Sequence, residues 1–330
     1  MRIPFILFSL AFCMLRFSSC NEAPTADLST SSGISAVLSK DSNNTDALYA
    51  RAKLYISHNS PDSALHDMKR LISIDSSKSN YFITLGDVYL MTNQTRYTRQ
   101  ALERAIKLDA SNKDAHMKLA ELFLYVEMRQ EAINEINEVL KIDKSNPKAY
   151  YLKGVIYKES GDTSLAVSSF MTTIEQDPKN VLAFEQIGLI YASAQNPRAI
   201  DYYQSALRLD PKNSLIRYNL GMFYQETGQL DKAMETYEEL VSIDKAFANA
   251  YYNMGFIHVE YKSDPTSALP FFEKAAIVNG NYPAAVYMQG VCKEKKGDKE
   301  GAISEYRKTL SINARFEDAR IGLSRLGAKP

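Results

Sequence analysis

The chain has little of what most enzymatic chemistries require. Its 330 residues hold three cysteines and four histidines. Cys13 and Cys20 fall in an N-terminal stretch that reads as processed, so Cys292 is left alone and a disulfide framework is excluded. A lone cysteine on an amphipathic helix reads as a packing group. His58, His66, His116 and His258 are scattered, with no His-Glu-x-x-His and no Cys-His cluster, which argues against a metal site. His116 and His258 stand where aromatic residues recur elsewhere in the chain, so packing is their expected role. The glycines are dispersed and form no phosphate-cradling loop, and no Gly-x-Ser-x-Gly appears. Asp and Glu are plentiful, but on outward faces and in turns, and no pair stands out. No catalytic residue, cofactor or metal is expected. Charge is balanced at 39 basic against 39 acidic side chains, without the basic stripe that binding phosphates of a nucleic acid demands. The apolar run Ile3 to Leu15, thirteen residues, is too short to span a bilayer core of about 30 Å.

What the chain does have is a period. The stretch Ser214 to Phe247, SLIRYNLGMFYQETGQLDKAMETYEELVSIDKAF, returns about every 34 residues. Within it Leu220, Gly221 and Tyr224 share one side of a first helix, and Ala233, Tyr237 and Leu240 share one side of a second. Gly228 and Asp231 mark the turn between them. A small residue recurs as Ala52, Gly86, Ala120, Gly154, Gly188, Gly221, Gly255 and Gly290. A second slot runs Ala64, Thr98, Ala132, Ala166, Ala199, Ala233, Ala268 and Ala302. A third runs Tyr55, Tyr89, Phe123, Tyr157, Tyr191, Tyr224, His258 and Lys293. Three slots in register imply stacked helical hairpins, because one hairpin cannot bury its own apolar faces.

The motifs LGDVY at 85–89, KGVIY at 153–157, IGLIY at 187–191 and LGMFY at 220–224 carry a family resemblance, as do Asp177-Pro178 and Asp210-Pro211. The chain resembles a tetratricopeptide repeat protein. The resemblance implies an all-α fold, a right-handed superhelical solenoid of antiparallel helix pairs. It covers eight repeats at 45–78, 79–112, 113–146, 147–180, 181–213, 214–247, 248–282 and 283–316. Residues 317–330 are then a capping helix and tail, with Ala319, Leu323 and Leu326 covering the last hairpin. The fifth repeat is one residue short, tightening its turn near Pro197, and the seventh is one residue long. There Asp264 and Pro265 read as helix cap and first helical residue, and Pro270, further in, predicts a bend in the second helix and a local break in superhelix pitch.

Ahead of the repeats, residues 1–19 have the layout of a signal peptide, with Arg2 before the apolar run. Phe17-Ser18-Ser19-Cys20 resembles a bacterial lipoprotein lipobox, which implies lipid on Cys20 as a membrane anchor; a plain secretory peptide with Cys20 incidental is the alternative. Residues 20–44 are rich in Ser, Thr, Asn and Asp and read as a flexible tether, with a helical turn near Ile34 to Leu38.

The family binds partners on the concave face of its first helices. Residues placed there are Tyr49, Tyr151, Tyr218, Tyr252 and Tyr287, and one turn on Val155, Leu189, Met222, Phe256 and Val291. Asn219 and Asn253 extend the row, as the asparagine ladders of some relatives hold a peptide backbone. The tyrosines either read a partner or pack against the neighbouring repeat. A basic carboxylate clamp is not evident, with only Lys118 and Lys148 well placed. The expected function is a non-catalytic scaffold binding a protein or peptide in that groove, exported and membrane-anchored, in the outer membrane or facing the periplasm. A regulatory subunit positioning a separate envelope enzyme, or a cytosolic co-chaperone, are the alternatives.

Overall fold

The computed structural model describes residues 27–329; the signal peptide and Cys20 lie outside the described residues. Among the described residues there are eighteen α-helices and no strand. α1 is Ser31–Lys40, and pairs follow: α2 Thr45–Ser57 and α3 Pro61–Ile74, α4 Ser79–Met91 and α5 Thr95–Leu108, α6 Lys113–Tyr125 and α7 Arg129–Ile142. Next come α8 Pro147–Glu159 and α9 Thr163–Gln176, α10 Val181–Ser193 and α11 Arg198–Leu209, α12 Ser214–Glu226 and α13 Leu230–Ile243. α14 Ala248–Phe256 runs into a π-helical turn, Ile257–Tyr261, and pairs with α15 Pro265–Val278. α16 Pro283–Lys295, α17 Lys299–Ile312 and α18 Glu317–Arg325 complete the chain. The chain divides into two compact units, one ending at Leu122 and the other beginning at Phe123.

Short polar motifs set the helix ends. Asn44, Asn112, Asn146, Asn180 and Asn213 each accept, through the side-chain oxygen, the backbone N–H three residues on, at 2.9 to 3.1 Å. Each thereby satisfies one of the donors left over at a helix start. Inside every hairpin one residue of the turn is left-handed: Asn59, Asn93, Glu127, Gly161, Gln195, Gly228, Ser263 and Gly297, with φ between 51° and 83°. Glycine reaches that region without strain, and three of the eight turns use it.

In the first unit, Ala52 of α2 and Ala64, Met68 and Leu71 of α3 are buried together. Gly86 of α4 faces Leu102 of α5, where a Cβ would stand 3.2 Å from the leucine side chain. Arg51 and the buried Asp67 tie α2 to α3 by a fork, Nε to Oδ2 and Nη2 to Oδ1, both 2.7 Å. A forked guanidinium satisfies both carboxylate oxygens, which a buried charge requires. α1 occupies part of the stretch expected to be a tether. Thr30 caps it, Ile34 is buried, and Leu38 packs against the first unit's core. The helical turn expected near Ile34 to Leu38 is extended to ten residues, and these two apolar residues at i and i+4 face α2.

In the second unit each first helix carries a glycine, and the second helix lays a ring directly on it. The pairs are Gly154 with Phe170, Gly188 with Tyr203, Gly221 with Tyr237, Gly255 with Phe272 and Gly290 with Tyr306. A Cβ on any of these glycines would come within 2.5 to 3.0 Å of the ring. The rings themselves are at most 1% exposed. Tyr306 is held from its other side by Gly322 of α18, and its hydroxyl donates to Glu294 Oε2 at 2.5 Å. Arg325 forks onto the same carboxylate at 2.6 and 2.8 Å and holds its pKa below the usual range, so α18 is tied to α16 as well as packed on α17.

α15, the second helix of the seventh hairpin, contains Pro270, whose side chain is exposed. The extra residue of that hairpin is absorbed before the turn, in the π-helical stretch Ile257–Tyr261, since a π turn takes up one residue more than an α turn. Asp264 caps α15 as expected, accepting from the N–H groups of Thr266 and Ser267 at 3.1 and 3.0 Å.

Gly221→Ala drives a methyl into the Tyr237 ring and is expected to destabilise the protein by about 1–3 kcal/mol, the usual result of overpacking. Gly280→Ala, where nothing stands within 4 Å, shifts stability by less than about 0.5 kcal/mol. Thermal melts followed by circular dichroism separate the two, and equal midpoints would contradict the ring-on-glycine packing.

Candidate functional site

The residue three positions before each glycine is Tyr151, Glu185, Tyr218, Tyr252 or Tyr287, and the residue one position after it is Val155, Leu189, Met222, Phe256 or Val291. Four residues apart, the members of each pair lie one above the other on their helix. All ten are half-buried, neither sealed in the core nor free in solvent. They form a row across α8, α10, α12, α14 and α16, wholly within the second unit. Tyr49 holds the same slot in the first unit, where it packs on Tyr81 at 5.1 Å and its hydroxyl shares a hydrogen bond with Thr84 at 3.0 Å.

The two roles open to the tyrosines are not alternatives in the structure, because packing engages one part of each ring and leaves another exposed. Tyr218 lies against Tyr237 of its own hairpin at 6.1 Å and against Phe247, at the head of the next, at 5.1 Å. Tyr252 repeats this with Phe272 and Tyr282, both at 5.4 Å, and Tyr287 with Tyr306 at 5.5 Å and Phe316 at 5.3 Å. Tyr151 leans on Phe170 at 5.5 Å. Burial pushes the hydroxyls of Tyr151, Tyr218, Tyr252 and Tyr287 above the ordinary tyrosine value, and that of Tyr282 up to about 12. They therefore remain protonated and able to donate at neutral pH.

The two asparagines have separate fates. Asn253 is buried, and its amide nitrogen lies 3.1 Å from the Tyr237 hydroxyl, 3.3 Å from the Tyr218 hydroxyl and 2.9 Å from the Met222 sulfur. Tyr237 in turn donates to Gln225 Oε1 at 3.1 Å. This amide joins α14 to α12 and α13 rather than standing open as a rung. Asn219 is half-buried and its amide has no hydrogen-bond partner among the described residues.

Glu185 is the member of the row that a search for aromatics passes over. Its register, three residues before Gly188, is visible in the sequence. The carboxylate is half-buried, and burial raises its pKa against the opposing pull of Lys158. Elsewhere His58 and His66 are exposed, and the other histidines and Cys292 are occupied by packing. Cys292 is buried and its thiol is pushed up to about 11 by burial. His258 stacks on Phe271 at 5.5 Å, and burial, with Lys262, holds its pKa below the ordinary value. His116 is buried. Among the described residues no three His, Cys, Asp or Glu are grouped to hold a metal. A cavity of about 470 Å³ opens on the other side of α12, between α11 and α13, where the Arg217 guanidinium pairs with Glu239.

Residues 147–180 and 191–254 match tetratricopeptide repeat family models. The C-terminal part of a tetratricopeptide repeat protein from Cytophaga hutchinsonii superposes with a TM-score of 0.53 at 15% identity, covering 83% of this chain and 99% of that one. The chain has that fold. It is 27% identical over 135 residues to the type IV pilus assembly protein PilF of Pseudomonas aeruginosa, covering 40% of this chain and 53% of that protein. It is 29% identical over 133 residues to SPINDLY of Hordeum vulgare, named as a UDP-N-acetylglucosamine–peptide N-acetylglucosaminyltransferase, covering 38% of this chain and 14% of that protein. The chain thus spans between a seventh and about half of these two relatives.

Asn253→Ala removes the donor shared by two tyrosine hydroxyls and is expected to cost about 1–3 kcal/mol of stability, the range for unsatisfied buried polar groups. Asn219→Ala changes stability by less than about 0.5 kcal/mol. Urea melts of both variants provide the check; equal losses would contradict the division of roles.

Proposed function

We propose that the chain is a non-catalytic interaction scaffold of a bacterial cell envelope that captures a peptide segment or partner protein on the row from Tyr151 to Val291. It carries tetratricopeptide repeats, and proteins of this fold are generally scaffolds that bind protein or peptide partners. The observation that carries the reading is the bracing of the row. Tyr218, Tyr252 and Tyr287 are each wedged between aromatics of two successive hairpins, so their exposed edges are held in place before any partner arrives. A surface ordered in advance loses little conformational entropy on binding, and tyrosine offers apolar area together with a hydroxyl. Asn219 beside Tyr218 adds an unengaged amide that both donates and accepts, as a peptide backbone requires.

The envelope setting is supported by the N-terminal layout. The charged start, the short apolar run and Phe17-Ser18-Ser19-Cys20 suit export followed by lipid attachment at Cys20, with the chain outer-membrane bound or facing the periplasm. Among the described residues no helix is long and apolar enough to cross a membrane, so the anchor in this reading is the lipid. The likeness to PilF is to a bacterial protein named for type IV pilus assembly.

Capture of envelope proteins by the full-length chain is expected to fall about ten-fold when Tyr218, Tyr252 and Phe256 become Ala, a loss typical of aromatic anchors. Because two of these also brace neighbours, Asn219→Arg, which blocks the row without removing a brace, is expected to give the same loss. Undiminished capture by both variants rejects the row as the binding surface. Fractionation tests the location: Cys20→Ala is expected to move the chain from the membrane to the soluble fraction, and unchanged membrane retention rejects the lipid anchor.

A further inference from the structure

The carboxylates along the row are unmatched. Glu185 occupies a tyrosine slot on α10. Glu226 and Glu260 stand eight residues after Tyr218 and Tyr252, two turns further along the same helix faces, and both are exposed. None of the three has an ion pair or hydrogen bond among the described residues. The nearby lysines are directed to other acceptors, although the charge of Lys158 still acts on Glu185. Lys158 donates to Gln186 Oε1 at 2.6 Å, Lys153 to Asn137 Oδ1 at 3.2 Å, and Lys293 pairs with Glu305 at 2.7 Å. Glu159 and Glu294, by contrast, are engaged by Arg129 at 3.5 Å and Arg325 at 2.6 Å. Glu185, Glu226 and Glu260 are left without an ion pair beside the tyrosines, as other carboxylates are elsewhere on the surface.

They are also near enough to be felt there. The charge of Glu185 acts on the hydroxyls of Tyr151 and Tyr203, that of Glu226 on Tyr203, Tyr218 and Tyr237, and that of Glu260 on Tyr252 and Tyr287. Half-exposed tyrosine faces attract cations in their own right, and unpaired carboxylates beside them add a potential of the same preference. Glu185 stands apart from the other two in being half-buried in water-poor surroundings that penalise its charge, a penalty that an arriving cation relieves. Lys295, at the equivalent position on α16, reverses the sign and ends the acidic stretch.

We propose that the tyrosine row selects an extended peptide segment bearing lysine or arginine, whose cations are received by Glu185, Glu226 and Glu260 while its apolar side chains rest on the rings. The inference rests on the row being the binding surface and adds the chemistry of what it takes.

The test uses the full-length chain in detergent solution and three fluorescein-labelled dodecapeptides built from Pro-Leu-Lys, Pro-Leu-Ser or Pro-Leu-Glu, in which proline keeps the backbone extended. Fluorescence anisotropy at about 0.15 M salt, where long-range attraction is largely screened, is expected to show the lysine peptide binding about ten-fold more tightly than the serine peptide, and the glutamate peptide most weakly. Glu185→Gln, which keeps shape and removes charge, lowers lysine-peptide affinity several-fold, and the triple Gln variant abolishes the preference with an unchanged thermal midpoint. Equal binding of the lysine and serine peptides overturns the inference, as does a preference that survives the triple variant. Asn219→Arg separates this failure from failure of the row itself. If it abolishes serine-peptide binding while no charge preference exists, the row stands and the basic partner falls. If lysine-peptide binding is indifferent to it, both fall.

Discussion

In each hairpin of the second unit an aromatic ring from the second helix rests on the bare backbone of a glycine in the first. The ring is bulky and fully buried, and the glycine is the one residue whose lack of a side chain lets the two helices close around it. This contact sets the distance between the helices of a pair, and through it the positions of everything else on the first helix. The residues three before and one after the glycine are thereby turned toward a common row, hairpin after hairpin. The first unit reaches a comparable closeness with Leu102 over Gly86, using a branched chain where the second unit uses rings.

The tyrosines of the row make the same aromatic core continuous between hairpins. Tyr218 touches Tyr237 behind it and Phe247 beyond it, and Asn253 bonds both tyrosine hydroxyls from the next helix pair. A solenoid is held together by contacts between neighbours alone, so each such bridge sets how firmly one hairpin fixes the next. Rings committed on one side and exposed on the other are stiff, and the binding surface proposed for the row draws its order from that commitment rather than from a closed pocket.

The chain tolerates changes of length where they do not disturb the ring-on-glycine contact. The short fifth hairpin has a second helix, α11, of twelve residues, and Tyr203 still covers Gly188. The long seventh hairpin adds its residue after Gly255, as a π-helical turn ahead of the left-handed Ser263, and Phe272 still covers Gly255. In both cases the irregularity sits between the glycine and the aromatic that meets it, where the backbone can absorb it locally.

The helical pairs and their fold class were legible in the residues alone. Gly221, Ala233 and their counterparts recur at fixed spacing, and that spacing follows from helix periodicity, a local property of the chain. Glu185 was legible too, by register rather than by residue type. What no local rule could assign was the direction in which an extra residue or a polar side chain is taken up. The extra residue of the seventh hairpin was taken up at Ile257–Tyr261, and Asn253, outwardly the twin of Asn219, turned inward to hydroxyls sixteen and thirty-five residues away. The sequence by itself determined that helices pair and stack, because period and small-residue placement are written within each 34-residue unit. The tertiary structure alone decided which polar groups are consumed inside and which are left facing out, because that depends on what the neighbouring hairpin brings within hydrogen-bonding distance.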